Sequence, residues 1–192
     1  MSASMKRSLA LLLTAVVALA GCTTPRRDKP ADALTFVVVR HAEKATDDPE
    51  DPRLSDLGRE RARRLATLLA DAPVVAIYAT EFRRTRETAQ PTADAHHVPI
   101  SAYFARGPAG ESAAHWRRDH DRGTVLIVGH SNTVPDLVAA LSGQPATPMP
   151  ETEYDRVTWI RFDADGRARR AITRYWAPRG RVHRSLRPVR LP

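Results

Sequence analysis

The 192-residue chain has one cysteine, Cys22, which excludes any internal disulfide. Metal ligation is also poorly provided for. His96-His97 and the pair His115/His120 have no cysteine or carboxylate partner at ligand spacing, so surface histidines are expected there. No internal repeat or coiled-coil heptad is visible. The one long apolar stretch outside the strand-like runs, Leu9 to Ala20, is too short to cross a bilayer comfortably. Strong basicity is missing from the body of the chain as well. Of the formal +8, residues 1–21 carry two charges and the segment from Arg179 five, so the part between them is nearly neutral. That segment carries no nucleic-acid recognition motif, and no nucleic-acid partner is expected.

What is present is a set of apolar runs that end on reactive side chains. Leu34-Thr35-Phe36-Val37-Val38-Val39 reads as a buried strand and stops at Arg40-His41-Ala42-Glu43-Lys44. Thr124-Val125-Leu126-Ile127-Val128 repeats the pattern and stops at Gly129-His130-Ser131-Asn132-Thr133. There Thr133 as N-cap and Pro135 as an early helical residue predict a helix over 135–141. A third run, Val74-Val75-Ala76-Ile77-Tyr78, leads through Thr80 into a helical segment carrying Arg84, Thr88 and Ala89. In open α/β sheets, ligands sit beyond the carboxyl ends of the strands. Parallel neighbouring strands would therefore bring Arg40, His41, Arg84 and His130 to one pocket. Two arginines and two histidines without a carboxylate cluster describe an anion site, and phosphate suits the planar guanidinium fork. The arginines would repel a dication, so His41 and His130 are not expected to hold zinc; no metal or cofactor is expected.

These residues resemble the histidine phosphatase superfamily, also called phosphoglycerate mutase-like. Four motifs occur in family order: Arg40-His41-Ala42, Leu54-Ser55-Asp56-Leu57-Gly58, Thr80…Arg84…Thr88-Ala89, and Gly129-His130. They span residues 34–141, and a C-terminal hairpin extends the likeness to about Tyr175. The resemblance implies a three-layer α/β/α sandwich with a mainly parallel sheet. It also implies that His41 accepts the phosphoryl group, that Arg40 and Arg84 clamp its oxygens, and that His130 donates to the developing charge. Arg83, one residue earlier, is expected to face solvent or a neighbouring carboxylate.

Many members place an acidic proton donor after the third strand of the family, here expected over Val98–Tyr103. The only glutamate before the next strand is Glu111, the candidate acid, although in what reads as a surface loop a merely solvated carboxylate is the favoured reading. Asp136 is a second candidate without family precedent. His130-Ser131, where another branch has His-Asp, disfavours phytase-like chemistry. The short stretch from His96 to Gly123 leaves little to cover the pocket, which favours hydrolysis over mutase chemistry. The size is similar to the compact members, which include phosphohistidine phosphatases.

Around this core, Lys6-Arg7 followed by Leu9 to Ala20 reads as a signal peptide. Leu19-Ala20-Gly21-Cys22 resembles the bacterial lipoprotein cleavage box, with Cys22 lipidated; ordinary cleavage after Ala20 is the competing reading. Residues 1–21 are thus expected to be the signal peptide, 22–33 a lipidated polar tether and 34–178 the catalytic domain. Residues 179–192 are expected to be a basic, disordered tail that could touch anionic headgroups. The expected place is the cell envelope, facing the periplasm, with outer membrane favoured by Thr23. The expected partner is a phosphorylated small-molecule or envelope substrate. Two other readings stand beside this one: a domain of the same fold that binds phospho-ligands without turnover, and an envelope interaction module in which the tail does the binding.

Within the domain, a first helix is expected over 55–70, capped by Ser55, with Leu65, Leu68 and Leu69 buried. Segments 45–53 and 143–152 are expected to be loops, the first near the mouth of the pocket. Arg156–Phe162 and 167–176 should form a hairpin around Gly166.

Overall fold

The computed structural model describes residues 33–176. Its six strands are β1 (Leu34–Arg40), β2 (Val74–Thr80), β3 (Ile100–Tyr103), β4 (Gly123–Gly129), β5 (Arg156–Phe162) and β6 (Ala168–Arg174). Its four helices are α1 (Asp56–Leu68), α2 (Arg83–His96), α3 (Ala109–Asp119) and α4 (Val134–Ser142). The strand order is β3-β2-β4-β1-β5-β6; the first four are mutually parallel, β5 is antiparallel to β1, and β6 is antiparallel to β5.

Strands β1 and β4 are apolar and β-branched because both their faces are covered, and every residue of each is buried. Side-chain alternation then divides the core. Phe36, Val38, Val125 and Ile127 meet Trp116 of α3 and Leu137, Val138 and Leu141 of α4. Val37, Val39, Leu126 and Val128 meet Leu65 of α1 and Ala89 and Ala93 of α2. The result is helices on both faces of one sheet, the three-layer sandwich that the sequence implies. Because β1 leads into α1 on one face and β4 into α4 on the other, a crevice opens between their carboxyl ends.

The local expectations fare unevenly. Ser55 does cap α1, its hydroxyl accepting from the Gly58 amide at 3.1 Å. Leu65 and Leu69 are buried, but Leu68 is 39 % exposed, because the helical stripe that reaches the sheet passes to one side of it. Thr133 precedes α4, but its hydroxyl accepts from the His130 amide at 3.1 Å instead of capping the helix. The third strand is shorter than expected and starts at Ile100. Glu111 lies not in a loop but in the first turn of α3.

The motif spacings acquire physical reasons here. Leu54, Ala42 and Ala62 form a small buried cluster behind the end of β1. A Cβ on Gly58 would lie 2.3 Å from the Glu43 carbonyl oxygen, so only glycine lets α1 approach the loop after His41. The Thr88 hydroxyl accepts from the Ala42 amide at 2.9 Å and donates to the Arg84 carbonyl at 2.7 Å, which ties that loop to α2. Glu43 takes a bidentate bond from buried Arg61, at 2.8 Å from Nε and 2.5 Å from Nη2, and Trp176 stacks 4.8 Å from the same guanidinium. The segment carrying His41 is thus held from three sides.

Candidate active site

Arg40 ends β1 and is 2 % exposed; His41 follows it, and its amide donates to the Gly129 carbonyl of β4 at 2.9 Å. That bond joins the two strand ends and sets His41 beside His130, with ring centroids 5.2 Å apart. A Cβ on Gly129 would approach the Tyr103 hydroxyl to 2.9 Å, so a larger residue there would have to push the Tyr103 tip aside. Arg84 enters from the first turn of α2. Its charge is close enough to lower the basicity of both histidines, as is that of Arg40. The structure therefore brings Arg40, His41, Arg84 and His130 together. It does not bring Glu111 into hydrogen-bond contact with any of them. Glu111 and Asp136 are both exposed, near the starts of α3 and α4.

The protonation of the two rings follows from their surroundings. His41 Nδ1 lies 2.8 Å from the Ala42 carbonyl oxygen, which can only accept. Nδ1 therefore carries the hydrogen and Nε2 keeps its lone pair. Burial, followed by the charges of His130, Arg40 and Arg84, pushes the His41 pKa down to about 3, against an opposing pull from the Ala42 carbonyl. His130 is lowered to about 4, first by burial and then by Arg84, while Glu81 and Glu151 oppose the shift. Its Nε2 lies 3.0 Å from the Thr80 hydroxyl, which in turn meets Thr85 at 2.9 Å.

A consequence for stability follows. Both folded-state values lie below the ordinary histidine value of 6.5, so the unfolded chain binds the extra protons first as pH falls. Stability is expected to decline from about pH 6.5 towards pH 4, by at most about 1.4 kcal/mol per pH unit for each histidine. Guanidinium chloride unfolding at pH 7, 6 and 5 checks this; the midpoint should drop stepwise, and a flat profile would contradict the burial of uncharged rings.

The two arginines differ in their present partners. Arg40 Nη1 donates to the backbone carbonyls of Pro150, Glu151 and Glu153, with the shortest contact at 2.6 Å to Glu151; Nη2 meets the Glu151 carboxylate at 2.6 Å. Tyr154 lies flat under the same guanidinium at 4.2 Å. Arg84 stacks 4.2 Å from Phe82 and lies 3.7 Å from Asp51, which also accepts from the Arg83 amide. On each arginine the Nε–H is buried and has no partner among the described residues. An unpartnered buried donor is costly, and two of them beside two histidines mark a place where acceptor oxygens belong.

Sequence reading did not pick out Glu81, Asp51, Ser131, Glu151 or Tyr154 as site residues. Glu81 stands inside the third motif, next to Thr80, and Asp51 in the acidic loop expected near the mouth; both were within reach of the pattern. Glu151 and Tyr154 were not, since they arrive from a proline-rich loop whose path no local signal specifies. Among the described residues, no group of three or more histidine, cysteine, aspartate or glutamate side chains is arranged to hold a metal ion.

Residues 36–103 match the model of the histidine phosphatase superfamily (branch 1). Among solved structures, the protein histidine phosphatase SixA complexed with tungstate is similar at a TM-score of 0.60 and 22% identity, covering 73% of this chain and 96% of that one. Mycobacterial glucosyl-3-phosphoglycerate phosphatase is similar at 0.55 and 16%, covering 74% and 98%. At such identities the likeness is one of fold. A comparison with curated proteins finds no match. The sequence match covers the segment that carries the first three motifs, and the fold agrees with it: over residues 36–103 the chain is similar to the histidine phosphatase superfamily.

Proposed function

We propose that the protein hydrolyses phosphomonoesters through a phosphohistidine on His41, without a metal. The observation that carries this reading is the juxtaposition of an uncharged, buried imidazole, its Nε2 free of hydrogen, with two arginines whose Nε–H groups are buried and unpartnered. His41 Nε2 attacks phosphorus, and the bond to the leaving oxygen breaks as the phosphoryl group passes to the ring. Arg40 and Arg84 stabilise the equatorial oxygens. His130, held through Nε2 by the Thr80 hydroxyl, presents its other nitrogen to the same charge; a bound dianion favours its protonated, donating form. Water then attacks the phosphoryl group and releases phosphate, so the ring returns unchanged.

The test is release of phosphate from 4-nitrophenyl phosphate by the protein in EDTA. Turnover supports the reading, and phosphate binding without turnover would favour a phospho-ligand-binding domain of the same fold. The consequence of removing His41 is argued below.

Residues 1–32 and 177–192, which include Cys22 and the arginine-rich tail, lie outside the described residues. Their proposed roles rest on sequence: a signal peptide over 1–21, lipid anchoring at Cys22 in the bacterial envelope, and electrostatic attraction of the tail to anionic headgroups. A tether entering at Leu34 joins β1 at the end of the sheet opposite to His41, which suits a site that faces away from a membrane. Cys22→Ser in a bacterial host should release the protein from the membrane fraction or leave it as precursor. Unchanged membrane retention of a processed variant would remove the anchor from the proposal.

A further inference from the structure

Phosphomonoesters of alcohols need a proton at the departing oxygen, and one of the two carboxylates paired with the site arginines comes from far along the sequence. Glu151 sits on the 143–155 segment between α4 and β5. One of its carboxylate oxygens accepts from Arg40 Nη2 at 2.6 Å, and the other accepts from the Ser131 hydroxyl. The group thus spans the crevice between Arg40 at the end of β1 and Ser131 just after β4. Charged and titratable groups around it are Arg40, Lys44 and His130, with the Tyr154 ring against Arg40. By contrast, Glu81 spends one carboxylate oxygen on the Ala105 amide, at 3.0 Å. Glu111 has no side-chain hydrogen bond among the described residues.

We propose that Glu151, the counter-ion of Arg40, is the proton donor to the leaving group. This rests on the phosphatase reading. A phosphoryl dianion needs Arg40 and so competes with the carboxylate for it. The Glu151 side chain is 75 % exposed, so its release removes little packing. The strap stays in place when the carboxylate lets go, because Arg40 Nη1 still holds the backbone carbonyls of residues 150, 151 and 153. The carboxyl group therefore remains at the mouth, beside the departing oxygen.

Its proton affinity changes in the same step. While paired with the Ser131 hydroxyl and Arg40, Glu151 is held below the ordinary glutamate value, hence ionised. With Arg40 taken by the dianion, that stabilisation is lost and a negative neighbour is added, and both changes favour the protonated form. Bond by bond, the His41 Nε2–phosphorus bond forms, the phosphorus–oxygen bond to the alcohol breaks, and the Glu151 proton passes to the alkoxide. In the second half, water attacks phosphorus and gives its proton to the Glu151 carboxylate, the nitrogen–phosphorus bond breaks, and phosphate leaves.

The experiment compares wild type and Glu151→Gln on 4-nitrophenyl phosphate and on glycerol 2-phosphate, across pH. Nitrophenolate departs without a proton, whereas an alkoxide does not. The variant should lose roughly 10²-fold or more in kcat on the alkyl ester and only a few-fold on the aryl ester. The fall of kcat at high pH on the alkyl ester should disappear, and Glu151→Asp should restore part of the rate. Equal losses on both esters would mean that Glu151 only positions Arg40. Tighter phosphate binding with unchanged kcat would mean a competing strap, and wild type that hydrolyses the aryl but not the alkyl ester would mean that there is no donor. Each of these outcomes overturns the proposal while leaving the phosphohistidine reading to stand on aryl phosphate turnover and the His41 variant.

Discussion

His41→Ala is expected to reduce turnover of 4-nitrophenyl phosphate by roughly 10⁴–10⁶-fold, the scale seen when a covalent nucleophile is removed from a site whose other parts remain. The fold should survive. His41 makes one side-chain hydrogen bond, to the carbonyl of the next residue. Its loop is held independently by Thr88 on the Ala42 amide and by Arg61 on Glu43. Removing a buried ring with a strongly lowered pKa should also flatten part of the pH dependence of stability. The measurement is steady-state hydrolysis together with acid-labile, base-stable phosphate on the enzyme after rapid quenching. A variant that keeps its activity would end the phosphohistidine mechanism.

The second large effect concerns the anion clamp. Arg84→Ala is expected to lower kcat by about 10²–10³-fold, whereas Arg83→Ala should change it little. The two are chain neighbours at the start of α2, so both would suffer alike from any general disturbance of that helix. Their surroundings separate them. Arg84 is mostly buried, packs on Phe82, and keeps an unpartnered Nε–H; its charge is felt by both histidines. The Arg83 side chain makes no hydrogen bond or ion pair among the described residues, and its charge only adds to the Asp51 and Glu50 amides that lower the pKa of Asp48. Losing Arg84 would leave phosphoryl charge unmatched in a partly desolvated pocket, where each aligned donor counts for more than in water. Equal losses from the two substitutions would place the helix one residue out of register with the function assigned to it.

Several features of the site have a purpose only in combination. The electropositive pocket is tempered while empty: Arg40 pairs with Glu151 and Arg84 with Asp51, each carboxylate carried by a loop at the mouth. Two buried guanidinium groups without counter-ions would cost several kcal/mol each. Loop carboxylates supply those counter-ions at positions from which a stronger anion can displace them. Neutral histidines fit the same logic, since two further positive charges in this space would be repelled by the arginines already there.

How much of this was legible beforehand depends on whether the information is local. The strands β1, β2 and β4 announce themselves by apolar, β-branched runs, and the residues that close them are adjacent in sequence, so Arg40, His41 and His130 stood out at once. Arg84 needed only the helical spacing to Thr88 and Ala89. The stack of helices on both faces follows from strands that are apolar on every side. Gly58 and Gly129 mark places where one backbone must pass close to another group, but what they approach, Glu43 and Tyr103, is visible only after folding. Leu68 fell on the wrong side of its helix because hydrophobicity names a residue apolar without saying which stripe the sheet will cover.

The carboxylate proposed as proton donor was beyond the reach of local reasoning. A search along the chain for a glutamate after the third strand arrives at Glu111, which α3 carries on an exposed face. Glu151 reaches the pocket from 111 residues beyond Arg40 because the chain after α4 returns to pair β5 with β1, and the carbonyls of residues 150, 151 and 153 fasten on that arginine. The sequence alone determined the strands and singled out Arg40, His41, Arg84 and His130 at their ends, since each is set by periodicity and by neighbours within a few residues. Only the tertiary structure decided which carboxylate faces them. That choice depends on long-range packing of a loop whose own residues have no periodic signal and little preference for one path over another.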